Sequence, residues 1–170
     1  MSTNRFMLTA AGTASVAVSS IASAELIEFS VLNDRYIGEA TWQITNSSGS
    51  TVASMYISGM SVFLPEGADF TPLYGFSSSP TFLTSYLTEF SLDLPAGDYT
   101  VAMQDTWGDG WTPYFGTGGM TVSGELASGS SVTFEFNDGN DAGGSFTVVP
   151  APGALALLGL ACVSGRRRRG

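Results

Sequence analysis

The chain has 170 residues, a formal charge of −9 and no histidine, and all six of its basic residues are arginines. Without histidine or lysine it cannot build a histidine-based nucleophilic triad, a histidine zinc site, a Schiff base or a phosphate-loop lysine. Between Glu25 and Asp141 one arginine, Arg35, stands against fifteen acids. That stretch carries −14, which repels nucleic acid and anionic lipid headgroups and attracts cations, so no nucleic-acid partner is expected.

The first segment, residues 1–24, reads as a secretory signal peptide. Arg5 provides the positive start, Phe6 to Ile21 a moderately apolar helical stretch, and Ala22-Ser23-Ala24 a small-x-small cleavage site for signal peptidase. Cleavage there leaves Glu25 as the mature N-terminus. The other reading of this segment is an ordinary N-terminal helix.

Residues 25–148 form the body, and their signals are those of strands. In chain order, strands are expected at Leu26–Leu32, Thr41–Thr45, Thr51–Ile57, Phe90–Leu94, Tyr99–Gln104, Gly119–Val122, Ser131–Phe136 and Ser145–Val149. Each is short and rich in β-branched or aromatic residues, as in Thr41–Thr45, where Trp42 and Ile44 alternate with Thr41, Gln43 and Thr45. Turn chemistry separates them at Asn46–Gly49, Pro65–Gly67, Pro95–Gly97, Ser123-Gly124 and Asp138-Gly139. Phe63 to Thr88, with Pro72, Pro80 and Ser77–Ser79, reads as a long loop interrupted by a short strand or helical turn. About eight short strands argue for an all-β fold, an antiparallel β-sandwich or jelly roll. A signal helix and a short C-terminal apolar helix would flank it.

Two acidic loops carry the candidate chemistry. Asn33 to Trp42 joins the first two strands and holds Asp34 and Glu39; Asp105-Thr-Trp-Gly-Asp-Gly-Trp111 follows the Tyr99 strand and holds Asp105 and Asp109. Glycines 108 and 110 allow a tight turn that aims carboxylates at one point. Carboxylate and carbonyl oxygens without histidine or cysteine suit a hard cation, Ca²⁺ above all, although the spacing is not that of an EF-hand. If the two motifs meet, Asp34, Glu39, Asp105 and Asp109 surround one site. The structural alternative is an Asx-turn in which Asp105 and Asp109 bond their own backbone while the tryptophans pack, and Arg35 pairs with an acid. Asn137 to Asp141 reads first as a hairpin turn and second as a metal site. Trp107, Trp111, Tyr114 and Phe115 crowd one region, where they either stack on sugar rings or cover a core edge.

The body resembles a module found in secreted bacterial and algal proteins. The matching parts are Asp34, Tyr36, Glu39 and Trp42, then Leu94-Pro95-Ala96-Gly97-Asp98-Tyr99, then Asp105 to Trp111, with Thr112-Pro113 where the module has asparagine-glycine. The resemblance implies an extracellular β-sandwich accessory module and carries no activity with it.

Residues 149–170 close the chain. Pro150-Ala151-Pro152 precedes a ten-residue apolar run, Ala154 to Val163, and then Arg166, Arg167, Arg168 and Arg169. The run falls short of the ~20 residues of a comfortable membrane span, and its basic stop lies on the side that stays cytoplasmic. The order of motif, apolar helix and arginines resembles the PEP-CTERM sorting signal, with Pro-Ala-Pro where that family has Pro-Glu-Pro. The resemblance implies an exosortase-like sorting enzyme as partner and delivery to the envelope or extracellular matrix; a plain C-terminal membrane anchor is the alternative. The single cysteine, Cys162, lies in this tail, so the body has no disulfide to staple it.

The sequence therefore points to an exported, non-catalytic envelope or matrix protein stabilised by calcium. The alternative is a carbohydrate-binding module that reads matrix polysaccharide through Trp107, Trp111, Tyr114 and Phe115. An enzyme, for example a glycosidase pairing Glu39 with Asp105 or Asp109, is the third reading, and it would need carboxylates about 5–9 Å apart in an open cleft.

Overall fold

The computed structural model describes residues 24–76 and 79–151. The expected signal helix before Ala24 and the apolar helix of the C-terminal tail lie outside the described residues. So do Ala22, Pro152 and Arg166–Arg169. Among the described residues the fold is all-β and antiparallel, and no helix is long and apolar enough to cross a membrane.

The described residues form ten strands: β1 (Ala24–Asp34), β2 (Ala40–Asn46), β3 (Thr51–Ser58), β4 (Ser61–Phe63), β5 (Asp69–Phe76), β6 (Ser79–Pro95), β7 (Gly97–Asp105), β8 (Gly119–Leu126), β9 (Gly129–Glu135) and β10 (Asp141–Val148). They form one curled sheet in the order β4-β3-β2-β7-β10-β8-β1-β6-β5, with β9 paired to β8. Strands β10 and β8 touch at a single register pair, Val148 and Leu126. The sheet is thus two five-strand runs, β4-β3-β2-β7-β10 and β5-β6-β1-β8-β9, hinged at one corner.

Period-two alternation decides which side chains meet between the runs. Ile27, Phe29 and Val31 of β1 and Met120 and Val122 of β8 are buried from one run; Trp42 and Ile44 of β2 and Tyr99, Val101 and Met103 of β7 are buried from the other. A chain of rings links them. Trp42 stacks on Phe90 with centroids 5.2 Å apart, Phe90 on Phe29 at 4.8 Å, and Phe29 meets Phe146 edge-on at 6.1 Å. Burial of each such side chain is worth about 1.5–3 kcal/mol, so this aromatic seam is a principal tie between the runs.

Three expectations are corrected. The stretch Phe63 to Thr88 is not a loop: it forms the end of β4, all of β5 and the first half of the 17-residue β6. Its buried positions are Thr84, Ser85 and Thr88, so apolar alternation never advertised the strand; the Thr84 hydroxyl instead donates to the Leu73 carbonyl at 2.9 Å. Pro72 is tolerated because β5 ends the order and needs no second ladder. Ser123-Gly124 is not a turn but a register shift inside β8, where Gly124 (φ +145°) lets the backbone pass Ile27; the turn falls at residues 127–128. Asn137 to Asp141 is not a hairpin turn, because β9 pairs with β8 whereas β10 pairs with β7. The cluster crosses from one run to the other.

Candidate metal centre

Three such crossings meet at one end of the molecule. β1 ends at Asp34 before residues 35–39 lead into β2, β7 ends at Asp105 before β8, and β9 passes through residues 136–140 into β10. Register aligns the strand ends, with Ala40 opposite Asp105, Asp141 opposite Gln104 and Leu32 opposite Gly119. On β7, Asp105 continues the inward row Tyr99, Val101, Met103; on β1, Asn33 continues Ile27, Phe29, Val31. Two apolar rows therefore end in polar side chains at the same place.

Each loop is held by its own bonds. The Asp105 carboxylate accepts the Trp107 N–H at 2.7 Å and the Gly108 N–H at 2.9 Å, both on Oδ1. Asp34 Oδ1 accepts the Tyr36 N–H at 2.8 Å, and a short 3₁₀ turn, Ile37–Glu39, then presents Glu39. The loops are also tied to one another. Thr106 N–H donates to the Glu39 carbonyl, Asp105 N–H to the Asn140 carbonyl, and the Asn140 amide to the Asp105 carbonyl. Trp111 N–H donates to the Phe136 carbonyl at 2.8 Å, and the backbones of Asp109 and Gly139 form an isolated bridge. Gly110 makes that approach possible: it sits at φ +70°, and a Cβ there would lie 2.4 Å from the Asp138 nitrogen.

The result is a carboxylate cluster. One oxygen each from Glu39, Asp105 and Asp109 lies within 4.8 Å of the others. Asp105 is buried, Glu39 half-buried and Asp109 exposed, so the group opens from the core end to solvent. Asp34, the fourth expected ligand, is outside this triad but feels it. Burial holds its carboxyl above the ordinary range; the Tyr36 N–H opposes this, and the charges of Asp105 and Asp109 add to it. Burial also raises Glu39, with Asp105, Asp34 and Asp109 contributing. Arg35 forms no ion pair with the group, although its charge opposes the rise at Asp34. Its guanidinium donates to the Tyr36 hydroxyl and lies over the rings of Tyr36, Phe82 and Tyr114, 4.6, 5.1 and 5.6 Å from their centroids.

The Asx-turn expectation holds for Asp105, and of the two tryptophans only Trp111 packs. Trp111 is fully buried, 5.2 Å from Phe136, so it offers no face to a sugar and its assignment as a ligand-binding residue is corrected. Trp107 is 80 % exposed, and Tyr114 and Phe115 are also exposed. A cleft of about 260 Å³ beside Asp34 is lined by Arg35, Tyr36, Thr84, Thr112, Pro113 and Tyr114. Phe136 is a builder of this end that no sequence motif marks, and Asn140 belongs to the cluster read only second as a metal site. The composition of Asn137–Asp141 was the available signal, and its reading as a local turn concealed it. Asn33 was missed too: it is fully buried, and neither its amide nitrogen nor its oxygen has a hydrogen-bond partner.

Comparison with protein-family models, characterised proteins and solved structures gives no match for this chain.

Proposed function

We propose that the chain is an exported, non-catalytic β-sandwich protein of the cell envelope or extracellular matrix, held together at its acidic end by calcium. The two five-strand runs act as the two layers of the sandwich, a reading supported by the Trp42–Phe90 and Phe29–Phe146 ring contacts between them. Residues 1–24 direct export through signal peptidase. The tail from Pro150 through Arg169 directs sorting by an exosortase-like enzyme, with the membrane as its anchor before processing.

The convergence of Glu39, Asp105 and Asp109 within 4.8 Å carries the calcium reading. Like charges at such distances cost between roughly 1 and 4 kcal/mol per pair, depending on how much water reaches them. Arg35 is engaged with rings, which leaves a hard divalent cation as the natural counterion for an all-oxygen site.

Calorimetric titration of the exported protein with calcium should give saturable binding that Asp105→Asn/Asp109→Asn abolishes. A melting temperature unmoved by millimolar calcium would remove the structural role, because a ligand held at one hundred times its Kd stabilises the folded state by about 2.7 kcal/mol. Replacing Arg166–Arg169 should alter the fraction in which the protein is recovered from cells.

A further inference from the structure

A second surface on the same strands has the chemistry of a ligand site and no place in the calcium reading. The outward side chains of β3, β2, β7 and β10 stand in rows set by the register. One row runs from Phe63 on β4 through Tyr56 to Thr41, Gln104 and Asp141; the next runs through Ser54, Gln43, Ala102 and Gly143. On β7 and β10 the second row is low, because Ala102 and Gly143 raise nothing above the sheet. A depression of about 370 Å³ lies over Ala102, lined by Thr41, Gln43, Ser54, Tyr56 and Gln104 together with Trp42 and Met55. That volume is within the roughly 300–1,000 Å³ of ligand clefts. Its lining comes from three strands, β3, β2 and β7, spaced about 4.8 Å apart, so the trough runs roughly 10 Å across the sheet.

We propose that this trough binds a neutral polysaccharide chain laid across the strands. Gln43, Gln104, Thr41 and Ser54 are uncharged, and each offers both donor and acceptor groups, which is what sugar hydroxyls require. Tyr56, half exposed and stacked on Phe63 at 4.9 Å, is a rigid aromatic platform at one end, suited to the C–H face of a sugar ring. The Gln104 amide is steadied by its bond to the Asp141 carboxylate at 3.3 Å, so part of its ordering cost is met before the ligand arrives. Charge selects among glycans: a body of −14 repels uronate and sulfate polymers, and the neutral lining of the trough admits uncharged ones.

The site is independent of the acidic end, and the test keeps the two apart. The intact exported protein is run in native gels containing soluble mixed-linkage β-glucan, galactomannan or dextran, with alginate as the anionic arm, all in EDTA. We expect at least one neutral polymer to retard the protein, alginate not to, and Tyr56→Ala and Gln43→Ala each to weaken retardation about tenfold. Both residues are exposed, so unchanged melting of these variants shows that the fold is retained. Absence of retardation in every neutral gel overturns the proposal, as does retardation by alginate alone. Loss in Trp107→Ala or Tyr114→Ala with Tyr56→Ala unaffected also overturns it and moves the ligand to the loops. Failure to bind calcium leaves the EDTA result untouched.

Discussion

The acidic end and the outer trough share strands β2 and β7 but are assembled by different means. At the acidic end, three crossing connections bring backbone against backbone, and the side chains are fixed by bonds such as those from Trp107 and Gly108 to Asp105. At the trough no loop takes part; the pattern is cross-strand register, with Gln43 opposite Ser54 on one side and Ala102 on the other. The first region depends on the interior and on charge. The second is an overlay on a sheet that would stand without it. Substitutions should therefore be costly at the first and cheap at the second, and only the first should respond to cations and pH.

The largest effect is expected at Trp111. Its fully buried ring packs on Phe136 beneath the acidic loop, so Trp111→Ala should cost about 3–5 kcal/mol in chemical denaturation. Trp107→Ala, four residues earlier and 80 % exposed, should stay within about 0.5 kcal/mol, as should Gln43→Ala in the trough. A Gln43→Ala cost as large as that of Trp111→Ala would break the distinction between an interior-dependent end and a dispensable surface.

Backbone comes next. Gly110→Ala places a side chain on a left-handed residue and drives its Cβ to 2.4 Å from the Asp138 nitrogen, so the bridge between the second and third loops must open. We expect roughly 2 kcal/mol or more of lost stability, together with weakened calcium binding. Gly108→Ala is strained at φ +84° as well, but its nearest neighbour is the Asn140 side chain, which can move. It should cost less. Equal penalties from the two alanines would argue that the Asp109–Gly139 approach contributes nothing to the site.

These contrasts explain what could be read in advance. The strands with apolar alternation were legible, because Trp42 and Ile44 or Val101 and Met103 announce an inward face. β5 and the start of β6 were not, because Thr84, Ser85 and Thr88 are buried hydroxyls and Pro72 sits on an edge. Glu39, Asp105 and Asp109 were legible only within a set of four that also held Asp34, since local motifs carry all four but do not say which carboxylates converge. The fates of Trp107 and Trp111 were not, because what separates them is the end of β9, distant in sequence, where Phe136 covers one and leaves the other. The trough was invisible for the same reason: no local motif contains Tyr56, Gln43 and Gln104, which only strand order brings together.

The smallest expected effect is the one that most directly separates the two regions. Folding holds Asp34 and Glu39 above their ordinary values of 3.8 and 4.5, so in EDTA the folded state binds these protons more tightly than the unfolded chain. The contribution of this pair is fully present below those values and is lost as pH rises through the raised ones. The melting temperature of the calcium-free protein should therefore rise as pH is lowered from neutral through those raised values. Calcium reverses the sign, because it binds the deprotonated carboxylates; the increment it gives should be greatest at neutral pH and fade on acidification. Asp34→Asn keeps an acceptor for the Tyr36 N–H while removing the charge, so it should lift the calcium-free melting temperature at pH 7 by a few degrees and flatten the slope. Gln43→Ala should leave the slope as it was. A calcium-free melting temperature that instead climbs from pH 5 to 7 would mean that the carboxylates are already compensated within the protein, and the acidic end would then need no cation.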